Sequence, residues 1–205
     1  MRRGIDTNLF TPERRDRADG RFVIGYVGRI TSEKGVRLLL DIERELEARG
    51  VRDYVFRVIG HGGELDWLRA NLKQAEFPGV VKGEALAREY SNMDLFVFPS
   101  RTDTFGNVVL EAFASGVPAL VTDAGGPKFL IDEGVNGMVR RTDAEFASAA
   151  AALALERERI PAMRAAARQC ALSQSWDSVF ESVYEAYRFA AKPDGALRAV
   201  ACPVK

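Results

Sequence analysis

From residue 22 to residue 139 the chain alternates short apolar runs with stretches of helical periodicity, and most of the runs end in glycine or a charge. Phe22–Val27 ends at Gly28-Arg29, and an amphipathic helix follows over residues 35–48 with Val36, Leu39, Leu40 and Leu46 inward. Tyr54–Ile59 ends at Gly60-His61-Gly62-Gly63, before a helix over 64–74. A strand at 80–81 precedes a helix over 86–90, and a strand over 94–98 leads to a nearly all-apolar helix after Gly106. Short strands at 119–121 and 137–139 complete the pattern, with Gly125-Gly126-Pro127 opening a short helix that Gly134 stops. Apolar strands returning through helices predict a parallel sheet covered on both faces, an α/β, Rossmann-like, doubly wound domain. Thr142 and Glu145 have capping-box spacing ahead of an alanine-rich segment. A final helix is expected over 176–191, with Trp176, Phe180, Val183, Tyr184 and Tyr187 at helical intervals. Extra C-terminal helices therefore follow the sheet.

Residues 1–20 are polar and aperiodic, and are expected to form a linker whose Arg2, Arg3, Arg14, Arg15 and Arg17 are solvated. Residues 21–192 are the folded domain and 193–205 a frayed tail. Lys+Arg and Asp+Glu are equal at 29 each, which argues against a nucleic-acid binder. Cys170 and Cys202 have no metal-type spacing. No signal peptide is visible and no apolar run approaches the ~20 residues of a membrane span, so a cytoplasmic protein is expected.

The unusual residues converge on this scaffold. Arg29, Gly60-His61-Gly62, Lys82-Gly83, Asp103 and Gly125-Gly126 each follow a strand, at the carboxyl edge where open α/β sheets bind ligands. Between Thr104 and Thr122 the only charged residue is Glu111, on a helix apolar on almost every face. A carboxylate placed there must be paired or hydrogen-bonded, because an ionised group left dry costs several kcal/mol. Taken singly, Arg29 and Lys34 would be a solvated surface pair. On the ligand edge, with amides of Gly106-Asn107-Val108 and Gly125-Gly126 at two helix N-termini, they point to a phosphate or diphosphate. GRITSEKG is not a GxxxxGK[ST] loop, and no GxGxxG follows the first strand. No Asp-x-Asp occurs, so no metal is called for.

The segments GIDTNLFTP, VGRITSEKG, VIGHGGELDWL, LFVFPSRTDTFGNVVLEAFASGVPALVTDAGGP and EGVNGMV resemble the carboxyl-terminal, donor-binding half of GT-B retaining glycosyltransferases of family 4. The resemblance covers roughly residues 4–190, and Asp103 and Glu111 match the E-x7-E motif with Asp in first place. It looks most like the mannosyl- and glucosyltransferases acting on glycolipids.

The resemblance implies roles. Arg29 and Lys34, beside Gly28, would hold the donor diphosphate and stabilise the departing nucleoside diphosphate. Glu111 would accept from the ribose hydroxyls. Asp103 and Thr104, with the amides of Phe105, Gly106 and Asn107, would face the hexose, and Val108 the phosphate. Lys82, Gly83 and Leu86 would line the base, and His61 would be a turn residue near the donor. No cofactor is implied beyond the nucleotide-sugar itself, such as GDP-mannose or UDP-glucose; transfer would be metal-independent with retention.

The partners implied are the missing N-terminal GT-B domain and a glycolipid or saccharide acceptor, which would bring the protein to the inner membrane face as a peripheral visitor. An apolar patch on Trp176, Phe180 or Tyr184 would suit a homodimer. The chain is expected to be a donor-binding half, weak or inactive in transfer alone. The alternatives are a non-catalytic nucleotide-sugar binding module and half of a GT-B-like sugar-nucleotide epimerase.

Overall fold

The computed structural model describes residues 4–174 together with Tyr184 and Arg188. Six strands form one parallel sheet in the order β3-β2-β1-β4-β5-β6. They are β1 (Phe22–Val27), β2 (Tyr54–Ile59), β3 (Ala75–Gly79), β4 (Leu95–Phe98), β5 (Ala119–Thr122) and β6 (Gly137–Arg140). β1 sits between β2 and β4, so the strand order reverses there and leaves a crevice beyond the carboxyl ends of β1 and β4. Every residue of β1, β4 and β5 is buried, as continuous apolar runs require when both sheet faces are covered.

The covering helices are α1 (Leu38–Ala48), α2 (Leu65–Asn71), α3 (Gly83–Ser91), α4 (Asn107–Ala114), α5 (Asp143–Leu155) and α6 (Ile160–Leu172). α1 packs on α5, while α4 packs on both α3 and α6. Small side chains of α5 (Ala147, Ala150, Ala151, Ala154) are buried and allow close approach to its neighbours. Its start is the expected capping box: Glu145 N donates to Thr142 Oγ1 at 3.2 Å, and Thr142 N to the Glu145 carboxylate at 3.1 Å. No helix among the described residues is long and apolar enough to cross a membrane.

Two expectations are corrected. The third strand is Ala75–Gly79, not residues 80–81, and Val80 is 64% exposed. It pairs with β2 alone, as an edge strand, and there Pro78 and Glu76 are tolerated although they make the run look unlike a strand. The alanine-rich segment is broken by a 3-10 turn at Arg157–Arg159 into two helices, the second carrying Pro161 in its first turn.

The N-terminal segment is not a solvated linker where it is described. Ile5, Phe10 and Thr11 are buried, and Arg15 and Arg17 reach Asp94 at 2.7 and 3.1 Å. Arg15 and Arg164 also donate to the carbonyls of Ser91 and Met93, where α3 ends and cations are favoured. The final helix expected over 176–191, and the apolar patch it would carry, lie outside the described residues apart from Tyr184 and Arg188, both helical and exposed.

Asp94 is the centre of this clasp, since it also accepts from Val23 N at 2.9 Å. Asp94→Ala would leave two arginines and a buried amide without their acceptor. A loss of about 3 kcal/mol is expected, within the range for breaking one side of a buried ion pair. Urea denaturation followed by circular dichroism checks it, and a loss under ~1 kcal/mol would show that the clasp does not hold the segment.

Candidate functional site

The first strand-helix junction is held from beneath. Tyr26, fully buried, donates its hydroxyl to Arg29 O at 2.7 Å. Burial pushes its phenol up, so it remains a donor. The chain then makes a 3-10 turn at Ser32–Lys34 and passes through Gly35 at φ 68°. A Cβ on Gly35 would stand 2.5 Å from Pro99 O, so only glycine lets this loop rest against the end of β4.

That contact brings Lys34 and Asp103 together across the crevice, Nζ to Oδ2 at 3.0 Å, with side chains 13% and 26% exposed. The other Asp103 oxygen accepts from the amides of Phe105 (3.1 Å) and Gly106 (2.9 Å). Burial opposes ionisation of Asp103, but the Gly106 amide, Lys34 and the Phe105 amide outweigh it and hold its pKa below the usual carboxylate value.

Two amides expected to be free for a ligand, those of Phe105 and Gly106, are thus taken by the chain's own Asp103. Gly126 N likewise donates to Asp103 O at 2.9 Å. The amides of Asn107 and Val108, in the first turn of α4, meet no acceptor among the described residues. They leave unpaired N–H groups at that helix's N-terminus, where anions are favoured.

Arg29 lies at the same edge but is exposed and paired with Glu33 at 2.7 Å. A pair this exposed contributes little and exchanges readily. Gly28, Arg29, Gly60 and His61 line a cavity of about 260 Å³ whose walls are Val27, Ile59, Val80 and Val81. His61 is exposed, and its carbonyl accepts from Ile30 N at 3.0 Å, which makes it part of the turn. Lys82 and Gly83 open α3 exposed to solvent, with Leu86 half-buried one turn on; Thr104 is exposed beside Asp103.

Glu111 lies half-buried in the second turn of α4, otherwise flanked by buried apolar residues. It has no cation partner among the described residues; Tyr90 on α3 donates its hydroxyl to Oε2 at 2.8 Å. Burial raises the Glu111 pKa and the Tyr90 bond partly offsets this. Tyr26 and Tyr90 were missed by sequence reasoning. For Tyr26 the available signal was a phenol inside the apolar run of β1, which usually requires a hydrogen-bond partner; Tyr90, set among Arg88, Glu89, Ser91 and Asn92, offered none.

Size alone would point elsewhere. A larger cleft of about 800 Å³ lies at the amino ends of β1–β3, lined among others by Arg57, Glu76, Arg88 and Asp16. Its charges already satisfy one another, in the pairs Arg57–Glu89, Arg57–Glu76 and Arg88–Asp16. It is a seam under the N-terminal segment.

With the crevice, the Lys34–Asp103 pair and the buried Glu111 in place, the family model for glycosyl transferases group 1 matches residues 21–156. The chain belongs to the group 1 glycosyl transferases. This group 1 chain is 35% identical over 195 residues to a GDP-mannose-dependent alpha-mannosyltransferase of Corynebacterium glutamicum, covering 90% of this chain and 46% of that protein. It spans about half the length of the curated relatives it matches.

Among solved structures, sucrose-phosphate synthase of Thermosynechococcus elongatus superposes with TM-score 0.78 at 21% identity, covering 93% of this chain and 52% of that one. An Anabaena protein in complex with UDP-glucose gives TM-score 0.71 at 22% identity, over 92% of this chain and 56% of that one. The likeness is one of fold, the Rossmann-like half of a GT-B architecture.

The loop bearing Asp103 is pressed onto the loop after β5. A Cβ on Gly126 would lie 1.8 Å from Thr104 O. Gly126→Ala should therefore part the two loops and lower stability by about 1–3 kcal/mol, the range for forced overpacking. Thermal denaturation checks this; an unchanged midpoint would show that the loops are not held together.

Proposed function

We propose that this chain binds the nucleotide-sugar donor of a retaining, metal-independent hexosyltransferase, with the acceptor supplied from a second domain. The observation that carries the reading is Glu111: an acid on a buried helix beside the crevice, given one hydroxyl and no cation among the described residues. Such a group suits the two vicinal hydroxyls of a ribose, which donate hydrogen bonds and bring no charge. Lys34, Arg29 and the amides of Asn107 and Val108 would take the diphosphate. Donors of this kind suit an anion at a helix N-terminus.

Asp103 is held ionised and oriented by Lys34 and two amides, so it would accept from hexose hydroxyls as a fixed carboxylate. It is not poised to give up a proton, and Glu111 lies back on the helix; the pair is unlike the two carboxyls of a glycosidase. In the transfer step the sugar–phosphate bond breaks with charge developing on the diphosphate. Lys34 and Arg29 would stabilise that charge, each exchanging a carboxylate partner for phosphate oxygens. The apolar walls near Val80 and Val81, with Lys82, Gly83 and Leu86, would receive the base. The GDP-mannose dependence of the C. glutamicum relative favours GDP-mannose as the first donor to test, ahead of UDP-glucose.

Calorimetric titration of the 205-residue chain with GDP, UDP and ADP and their sugars tests the reading. One nucleoside diphosphate is expected to bind, and Lys34→Ala to weaken it by about 1.5–3 kcal/mol, the value of a charge-assisted hydrogen bond. Unchanged affinity in the variant would remove Lys34 from the phosphate site. No binding of any of the three would sink the donor reading itself.

A further inference from the structure

Two acids of the described chain, Glu43 and Asp94, are buried, and Glu111 is half-buried on different terms. Glu43, 1% exposed, accepts from the Tyr54 hydroxyl on β2 and the amides of Lys73 and Gln74, and ties α1 to the loop that enters β3. Asp94 accepts from two arginines and an amide. Both are fully engaged structural groups. Glu111 receives one hydrogen bond, on Oε2, and the described chain offers no donor to Oε1.

The donor to Oε2 is unusually well fixed. Tyr90 is fully buried in the last turn of α3. Its ring meets Phe10 edge-on at 5.8 Å and 77°, and lies tilted against Phe96 at 5.6 Å. The ring is packed from two sides in the core, and burial beside Glu111 raises its pKa well above the usual phenol value. It is a permanent donor aimed at one oxygen. The glutamate it holds has three side-chain torsions and would otherwise lose that freedom only when a ligand arrived.

We propose that Tyr90 is a positioning residue of the donor site, fixing Oε2 of Glu111 so that Oε1 is presented to the 2′- and 3′-hydroxyls of a ribose. This rests on the ribose role given to Glu111 above. The bland alternative is that the Tyr90 hydroxyl only satisfies a polar atom between two helices. The two differ in a measurable way: a structural bond would be indifferent to the sugar hydroxyls of the ligand.

The test is Tyr90→Phe in the 205-residue chain, which removes one oxygen and keeps the ring, titrated with GDP and with 2′,3′-dideoxy-GDP (or the uridine pair, whichever base binds). The unaltered chain should prefer the ribonucleotide. Tyr90→Phe should lose about tenfold in ribonucleotide affinity, as for one hydrogen bond to a charged group, and keep its dideoxynucleotide affinity within about twofold.

The pH profile moves too. Glu111 already has a raised pKa, and without the Tyr90 bond it should rise further, so ribonucleotide binding should fail at a higher pH on acidification. Equal losses for both nucleotides, or an unmoved acid limb, would overturn the proposal.

Glu111→Gln separates this from failure of the ribose reading. If Glu111→Gln abolishes the ribose preference and Tyr90→Phe leaves it whole, only the positioning role falls. If Glu111→Gln leaves the preference intact, or no nucleotide binds, the ribose reading falls and this proposal with it. Should Tyr90→Phe fail to fold, 3-fluorotyrosine placed at position 90 tests the same bond. Its more acidic phenol should donate more strongly and move the acid limb to lower pH, and an unmoved limb would overturn the proposal.

Discussion

A parallel sheet whose strands are apolar on both sides must be covered on both sides, and every return must pass through a helix. In this chain that requirement sends each strand-to-helix loop out at the same edge. The order β3-β2-β1-β4-β5-β6 then reverses direction between β1 and β4, so the loops after those two strands diverge and leave the crevice. Lys34 comes from one of these loops and Asp103 from the other. The ion pair is thus a consequence of the strand order, and Gly35 lying against Pro99 O is the close approach that makes it geometrically attainable.

The interior acids show how position decides use. A buried carboxylate is tolerated when enough donors converge on it, and Glu43 and Asp94 meet that condition from within the chain. Their work is to fasten an element: the β3 side of the sheet in one case, the N-terminal segment in the other. Glu111 is less completely served, and it is the acid placed behind the N-terminal end of α4. Incomplete satisfaction at the ligand edge is a different signal from burial alone, and it separates Glu111, the acid proposed to bind a ligand, from the two structural ones.

Much of this was legible in the sequence because it depends on local pattern. β1 and β2 carry the bounds that their apolar runs predict, and the capping box at Thr142 forms as its spacing requires. What was not legible depends on partners far along the chain. The strand at Ala75–Gly79 is hidden by Pro78 and Glu76, which only an edge position excuses. Arg15 and Arg17 look solvated until Asp94 is brought to them by the fold, and Ile5 and Phe10 are buried without any periodicity to announce it.

At the site, Lys34, Asp103 and Glu111 could be singled out from composition and register. The capture of two amides by Asp103 is a matter of loop conformation, and the Tyr90–Glu111 bond joins residues on two separate helices. Neither leaves a trace in one-dimensional spacing.

The Lys34–Asp103 contact also bears on which anions this edge can admit. A lone inorganic phosphate reaching Lys34 must displace a carboxylate already at 3.0 Å and steadied by two amides, so its gain is an exchange of one anion for another. A larger ligand that also reached the end of α4 and Oε1 of Glu111 would gather the remaining free energy from contacts the small ion cannot reach. On the proposed donor reading, Asp103 would be a resident competitor, screening the cation from the abundant small phosphates of a cell. Discrimination of this kind would come from the folded chain itself and would operate before any substrate had been distinguished from another.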